Sequence, residues 1–244
     1  MYSAQFDFSV ALIIGLAPAL GILYWSMRRY DVPFTQYRLF DDRRLFGGFA
    51  VGMMFGAIAA FIEVNVASII FVLAASLMFE ESFKMVWLNR KRYRGRFDTT
   101  FYGIAVGVGT AAMLGVATVL RYLSGGAADF YTPENLVLFS LYSLSLNLIQ
   151  ADTGAIIGFG ASRGETIWPF VKAVLVRLAH TLMLLAFIVP GTGEPWELIA
   201  VVTSLAFAGI LYHYVYTVLL PGTLPDDIRQ AMRREKRRAR KARV

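Results

Sequence analysis

The chain of 244 residues contains no cysteine. That excludes disulfides, thiolate metal sites and cysteine nucleophiles. Histidine is nearly absent, with only His180 and His213. Charge is scarce too: Asp, Glu, Lys and Arg make up 17% of the residues, against about 25% in soluble domains. Hydrophobic residues reach 57% and the mean hydropathy is +0.55. This balance excludes a disordered chain and a soluble enzyme, and it points to one membrane domain. The charge that is present is uneven, 24 Lys and Arg against 17 Asp and Glu, for a net +7. A basic excess of this size invites a nucleic-acid reading, so the position of the charges decides what it means.

Seven stretches approach the roughly 20 apolar residues that a bilayer core requires. They run from about Phe8 to Met27, Leu45 to Ile62, Asn65 to Leu88, Thr100 to Leu123, Asn135 to Phe159, Ile167 to Val189 and Glu197 to Leu220. The first has no basic residue before it and is followed by Arg28-Arg29, so it reads as a mature helix rather than a signal peptide. Between the second and third, only Glu63-Val64-Asn65 marks a turn.

Lys and Arg alternate between the connections. The first link holds Arg28, Arg29, Arg38, Arg43 and Arg44, and the third holds Arg90, Lys91, Arg92, Arg94 and Arg96. The links near 63–65, 124–134 and 190–196 hold none. Basic residues on every second connection follow the positive-inside rule. The expected architecture is an all-α polytopic bundle over residues 1–224, with about seven transmembrane helices. Its N-terminus lies outside and its C-terminus in the cytoplasm, as in a multi-pass protein of the cell membrane.

Gly48, Gly52 and Gly56 recur every fourth residue in the second stretch, Gly103 and Gly107 in the fourth, and Gly154 and Gly158 in the fifth. Small residues at this spacing let helix backbones approach closely in lipid.

Ionisable residues inside a membrane are expensive and usually face the bundle interior. Here they are few: Glu80, Glu81 and Lys84 in the third stretch, Asp152 beside Gln150 in the fifth, Lys172, Arg177 and His180 in the sixth, and His213 in the seventh. Glu80 and Lys84 stand four apart in the favourable order for an ion pair on one helix face. That pair leaves a second carboxylate, and a buried carboxylate beside another can serve as a general base on water. Arg177 and His180 are three apart on one face, and His180 is either a hydrogen-bonded core histidine or a metal ligand or proton shuttle. Asp152 either pairs with Lys172 or Arg177 or completes a polar site. His213, within Tyr-His-Tyr, suits an interfacial position.

Glu80-Glu81-Ser82-Phe83-Lys84 is an EExxK pentapeptide, and it resembles the signature of the PrsW-type intramembrane proteases of the CAAX-protease and bacteriocin-processing clan. The similarity extends to Ala17-Pro18-Ala19, to Asp31 and Pro33, and to Phe97-Asp98 with Tyr102-Gly103 and Gly107-Val108-Gly109. Gly158 and His180 fall where that family has a glycine and a late histidine. The resemblance implies peptide hydrolysis within the membrane: Glu80 or Glu81 activates water, Lys84 holds the pair, and His180 ligates a metal or stabilises the oxyanion. Zinc is the metal it would imply, with His180 and Glu81 as candidate ligands, and Gln150, Asp152 and Arg177 would line the cavity. A transmembrane protein would be the substrate. Leu114 stands at the family's second glutamate position, Gln150 at its first histidine and Leu184 at a polar position. A leucine can neither bind metal nor take a proton. The competing expectation is therefore an inactive protease fold that serves as a scaffold or binds a partner helix in a membrane complex. A transporter with a proton relay lacks the broken helices and inverted repeat that would support it.

The remaining segment, 225–244, is a basic juxtamembrane tail that includes Arg233, Arg234, Lys236, Arg237 and Arg238. Such a cluster attracts anionic lipid. It contains no aromatic residue on which a single strand could stack, so no nucleic-acid partner is expected.

Overall fold

Long apolar runs without water to satisfy their backbone form helices, because every N–H and C=O then finds a partner within the segment. The computed structural model describes residues 2–30, 39–66, 70–125, 130–188, 195–230 and 234; the side chains of 2–4, 63–66 and 70–73 are outside that description. Among the described residues the regular structure is helical throughout and no strand occurs. The elements are α1 (Tyr2–Met27), α2 (Asp42–Val66), α3 (Ile70–Leu88), α4 (Thr99–Ser124), α5 (Pro133–Ser162), α6 (Ile167–Met183), α7 (Leu185–Ile188) and α8 (Trp196–Tyr214). α8 continues through a π-helical turn, Val215–Leu219, into the short α9 (Leu220–Thr223).

Among the described residues, four segments are long and apolar enough to cross a membrane: Gln5–Met27, Asp42–Ile62, Thr99–Ser124 and Trp196–Thr223. The three remaining long helices fall short for an identifiable reason. α3 carries Glu80, Glu81 and Lys84 within 19 residues, α6 is 17 residues long and carries Lys172 and Arg177, and α5 is diluted by Asn147, Gln150 and Asp152. The helices with least apolar length are the ones that carry the polar groups.

Two expected boundaries shift. The turn expected at Glu63-Val64-Asn65 is helical, because nothing there breaks the backbone ladder and α2 runs on to Val66. The sixth stretch is not continuous: the Leu184 N–H is shared between the carbonyls of His180 and Thr181, both at 3.1 Å, which tightens the end of α6 before α7 begins. Asp31, Pro33, Arg38, Val189, Arg233, Lys236, Arg237 and Arg238 lie outside the described residues. Arg234 is exposed, and residues 226–230 are helical, in keeping with a helix start at Pro225.

α4 is the axis of the bundle. It is buried along almost its whole length and packs against α1, α2 and α5. Glycine makes these approaches possible. A methyl group built at Gly103 would overlap the Gly154 carbonyl oxygen, and one at Gly107 would overlap that of Gln150. A methyl at Gly158 would meet the Thr99 carbonyl at 2.7 Å. Across the opposite face, Gly52 and Gly56 of α2 press on the carbonyls of Val106 and Thr110, and Gly109 presses on Phe49. Gly48 is the exception, since a methyl there finds only ordinary contact, with Val106 Cγ2 at 3.4 Å.

One end of α4 is clamped by the Asp98–Tyr102 segment. Arg96 grips both oxygens of Asp98 at 3.0 and 2.9 Å, and the Tyr102 hydroxyl donates to Asp98 Oδ2 at 2.8 Å. That hydroxyl also accepts from the Asp41 backbone N–H at 3.0 Å, which ties the start of α4 to the start of α2. Beside it, the Gly95 N–H reaches the Ala161 carbonyl at 2.9 Å, and Arg94 donates to the Gly164 carbonyl. Gly95 and Gly164 both have positive φ, +76° and +79°, where a side chain would be strained.

The glycine contacts predict a contrast. Gly107→Ala should destabilise the protein by about 1–3 kcal/mol, the usual penalty for overpacking. Gly209→Ala in α8, where a methyl meets nothing within 4 Å, should be neutral or stabilising by up to about 1 kcal/mol. Thermal unfolding of the two purified variants checks the sign of each.

Candidate functional site

Successive residues on a helix are rotated by about 100°, and this rotation separates the two glutamates of α3. Glu81 turns toward α5 together with Lys84, while Glu80 turns toward α6. Lys84 Nζ donates to Glu81 Oε1 at 2.7 Å, to Thr153 Oγ1 at 2.7 Å and to Gln150 Oε1. The three protons of the ammonium are thereby placed on three acceptors. Thr153 in turn donates to Glu81 Oε1 at 3.1 Å.

The ion pair expected between Glu80 and Lys84 is therefore not the one formed. Lys84 takes the nearer glutamate, three residues away, because that direction also offers Gln150 and Thr153. Glu80 finds other partners: its Oε2 accepts from Gln150 Nε2 and from Arg177 Nη2, the latter at 3.5 Å. Gln150 thus links the two halves, its oxygen on Lys84 and its amide on Glu80.

The network continues past Arg177. Its Nη1 faces His180 Nδ1 at 3.5 Å, and His180 Nε2 lies 2.8 Å from Ser145 Oγ. Ser145 Oγ is 3.0 Å from Ser204 Oγ, which donates to the Val201 carbonyl at 2.9 Å. A guanidinium can only donate, so Nδ1 is the acceptor and the ring hydrogen sits on Nε2. The direction of every later bond follows: His180 donates to Ser145, Ser145 to Ser204, and Ser204 to the backbone. His180 is neutral in this arrangement, with both nitrogens committed.

The site is closed off from the surface and balanced in charge. Glu80, Glu81, Lys84, Gln150, Thr153 and His180 are all 0% exposed, and Arg177 is 5% exposed. Two carboxylates face two cations, as burial of charge demands. Three polar atoms of the network still lack a partner: Glu80 Oε1, Glu81 Oε2 and Arg177 Nε.

Other candidate residues lie elsewhere. Asp152 pairs with neither Lys172 nor Arg177: Lys172 is exposed and Arg177 is taken by Glu80. Two residues beyond Gln150, Asp152 is turned about 200° from it and joins none of these bonds. Leu114 is buried in an apolar cluster with Phe55, Ala59 and Leu146, against which Phe83 packs. His213 is exposed. Thr153, Ser145 and Ser204 belong to the network without having been expected. Thr153 has one signal, its place one helical turn past the polar Gln150, and Ser145 and Ser204 have none.

The donor set does not fit zinc. His180 turns Nδ1 to a guanidinium and its protonated Nε2 to a serine, and Glu81 is bound to an ammonium. Among the described residues, no group of three or more His, Asp or Glu side chains is placed to hold a metal ion. Comparison with family models, curated proteins and solved structures returns no match.

Removing one partner of a buried pair leaves the other uncompensated. Lys84→Met should therefore cost about 3–5 kcal/mol of stability. Combining it with Glu81→Gln should restore a measurable part of that loss. A double-mutant cycle followed by thermal unfolding reads the coupling directly.

Proposed function

We propose that this is a multi-pass protein of the cell membrane, built on the plan of the PrsW-type intramembrane proteases, in which Glu80 activates water for hydrolysis of a transmembrane protein substrate. Seven spans, an outside N-terminus and a cytoplasmic C-terminus complete the reading. It is supported by four helices apolar enough to cross a bilayer and by basic residues gathered on alternate connections. The tail past 225 would then lie against anionic lipid on the cytoplasmic face.

One observation carries the chemistry. Within the buried network, the polar atoms left without a partner are two carboxylate oxygens and one guanidinium N–H. Two acceptors suit the hydrogens of a water molecule, and the free donor suits the oxygen of a peptide carbonyl. Glu80 is the better base of the two. Glu81 accepts a direct bond from an ammonium at 2.7 Å, whereas the guanidinium on Glu80 stands at 3.5 Å. In the reaction, the water oxygen bonds to the carbonyl carbon while its proton passes to Glu80. The developing oxyanion takes the Arg177 N–H. The C–N bond then breaks as Glu80 returns the proton to the leaving amine. Lys84 and Gln150 hold the carboxylates in place, and no metal takes part.

A second reading, an inactive scaffold that binds a partner helix, is favoured by Leu114 in its apolar cluster and by the complete pairing of the four charges. Glu80→Gln separates the two. With a transmembrane reporter in proteoliposomes, the substitution should lower cleavage by about 100-fold or more, and a zinc chelator should leave the rate unchanged. If the wild-type protein does not cut the reporter, or the Glu80 and Glu81 amides both cut it normally, hydrolysis is refuted. The absence of cysteine makes orientation testable with single introduced thiols. A cysteine at Lys91 should react from the cytoplasmic side, and one at Pro195 from the outside.

A further inference from the structure

α5 carries a second buried polar group, on the side turned away from Gln150. Asp152 is 0% exposed, and neither of its carboxylate oxygens has a hydrogen-bond partner. It stands seven residues after Ser145, two helical turns along the same face, and Ser145 meets Ser204 of α8. α8 runs parallel to α5, since a methyl built at Gly222, just past its end, would lie 3.7 Å from Phe159 of α5, so Tyr212, eight residues after Ser204, stands at the level of Asp152.

The hydroxyl of Tyr212 is 2.7 Å from Ser26 Oγ of α1. Ser26, itself 0% exposed, gives its only hydroxyl hydrogen to the Ile22 carbonyl at 2.8 Å. Tyr212 must then give its own hydrogen to Ser26, which leaves the phenolic oxygen as an acceptor. An ionised carboxylate is also an acceptor only. At this level of α1, α5 and α8 stand Oδ1 and Oδ2 of Asp152 and the oxygen of Tyr212, all of them acceptors, and neither carboxylate oxygen has a donor. Arg28 and Arg29, which follow α1, have other neighbours: Arg28 stacks on Trp25 at 3.3 Å, and Arg29 lies 6.0 Å from the Tyr216 ring.

An unpaired carboxylate in apolar surroundings is very costly, and oxygen donors suit hard cations. A single positive charge balances Asp152, whereas a divalent ion would leave a net charge buried. We propose that Asp152 and Tyr212 form a binding site for one monovalent metal cation, separate from the Glu80–Arg177 network. The site does not depend on proteolysis, so it stands or falls apart from the proposed function.

The experiment uses the full chain in detergent, freed of alkali metal and titrated with sodium, potassium or choline chloride at constant ionic strength. Sodium or potassium should raise the thermal midpoint saturably by several degrees, and choline should not. Asp152→Asn should abolish the saturable response, and Tyr212→Phe should weaken the apparent affinity at least a few-fold while leaving it measurable. Equal responses to choline, or an unchanged response in Asp152→Asn, overturn the proposal. Should Asp152→Asn not fold, infrared spectroscopy of the wild-type protein in sodium decides. A protonated-carboxyl stretch that sodium does not remove means that a proton occupies the site, which also overturns it; loss of that band on adding sodium supports the cation.

Discussion

Neutralisation of charge inside an apolar bundle is the constraint on which this structure turns. Two carboxylates from adjacent positions of α3 must each find a cation, since an isolated ionised carboxylate away from water is prohibitively unfavourable. Lys84 reaches only Glu81 in the arrangement that also satisfies its other two protons. The second cation must come from another helix, and Arg177 supplies it from α6. α3, α5 and α6, the three long helices with least apolar length, are thereby tied to one another by ion pairs and hydrogen bonds. In a membrane, where burial of apolar surface drives helix association weakly, polar contacts of this kind are a principal source of specificity.

Gln150 can bridge Glu80 and Lys84 because the backbone of α5 is pressed against α4. The fit at Gly107 and the Gln150 carbonyl leaves no room for a side chain, so a packing feature of α4 sets the height and rotation of a polar residue on α5. Gly103 against Gly154 and Gly158 against Thr99 extend that contact by further turns. The same helix is fixed at its start by Arg96, Asp98 and Tyr102. Groups that look like separate motifs in the chain thus serve one purpose, the placement of α5 relative to α3.

The helices themselves were legible because hydropathy and glycine spacing act locally. Gly52, Gly56, Gly103 and Gly107 could be recognised as close-packing positions from their four-residue period alone. The partners of charges could not, because they depend on which neighbour completes a three-dimensional set. An i,i+4 spacing favoured Glu80 with Lys84, yet the i,i+3 neighbour won once Gln150 and Thr153 of α5 were in place. The i,i+3 spacing places Arg177 and His180 on one face, but the partners of the His180 Nε2 side, Ser145 and Ser204, are hydroxyls that carry no signal within an apolar helix. The break at Leu184 was equally hidden, since neither glycine nor proline marks it.

α5 carries two polar groups that do not meet, and the helical rotation explains why. Gln150 and Thr153 face α3, while Ser145 and Asp152 lie on the side that reaches α8. Ser145 is the point where the two sides communicate, through His180 to Arg177 and Glu80 and through Ser204 to α8. Each bond in that series takes its direction from Arg177, whose guanidinium can only donate and so keeps Nδ1 unprotonated, while Ser145 and Ser204 receive the Nε2 hydrogen and pass the chain of bonds on to the Val201 carbonyl. With Nδ1 protonated, His180 would present a donor to a guanidinium and the contact would become repulsive. Arg177 would then be held by Glu80 alone. The proton position on a neutral histidine, set by the guanidinium and matched by two serines on other helices, is therefore part of what keeps Glu80 compensated inside the bundle.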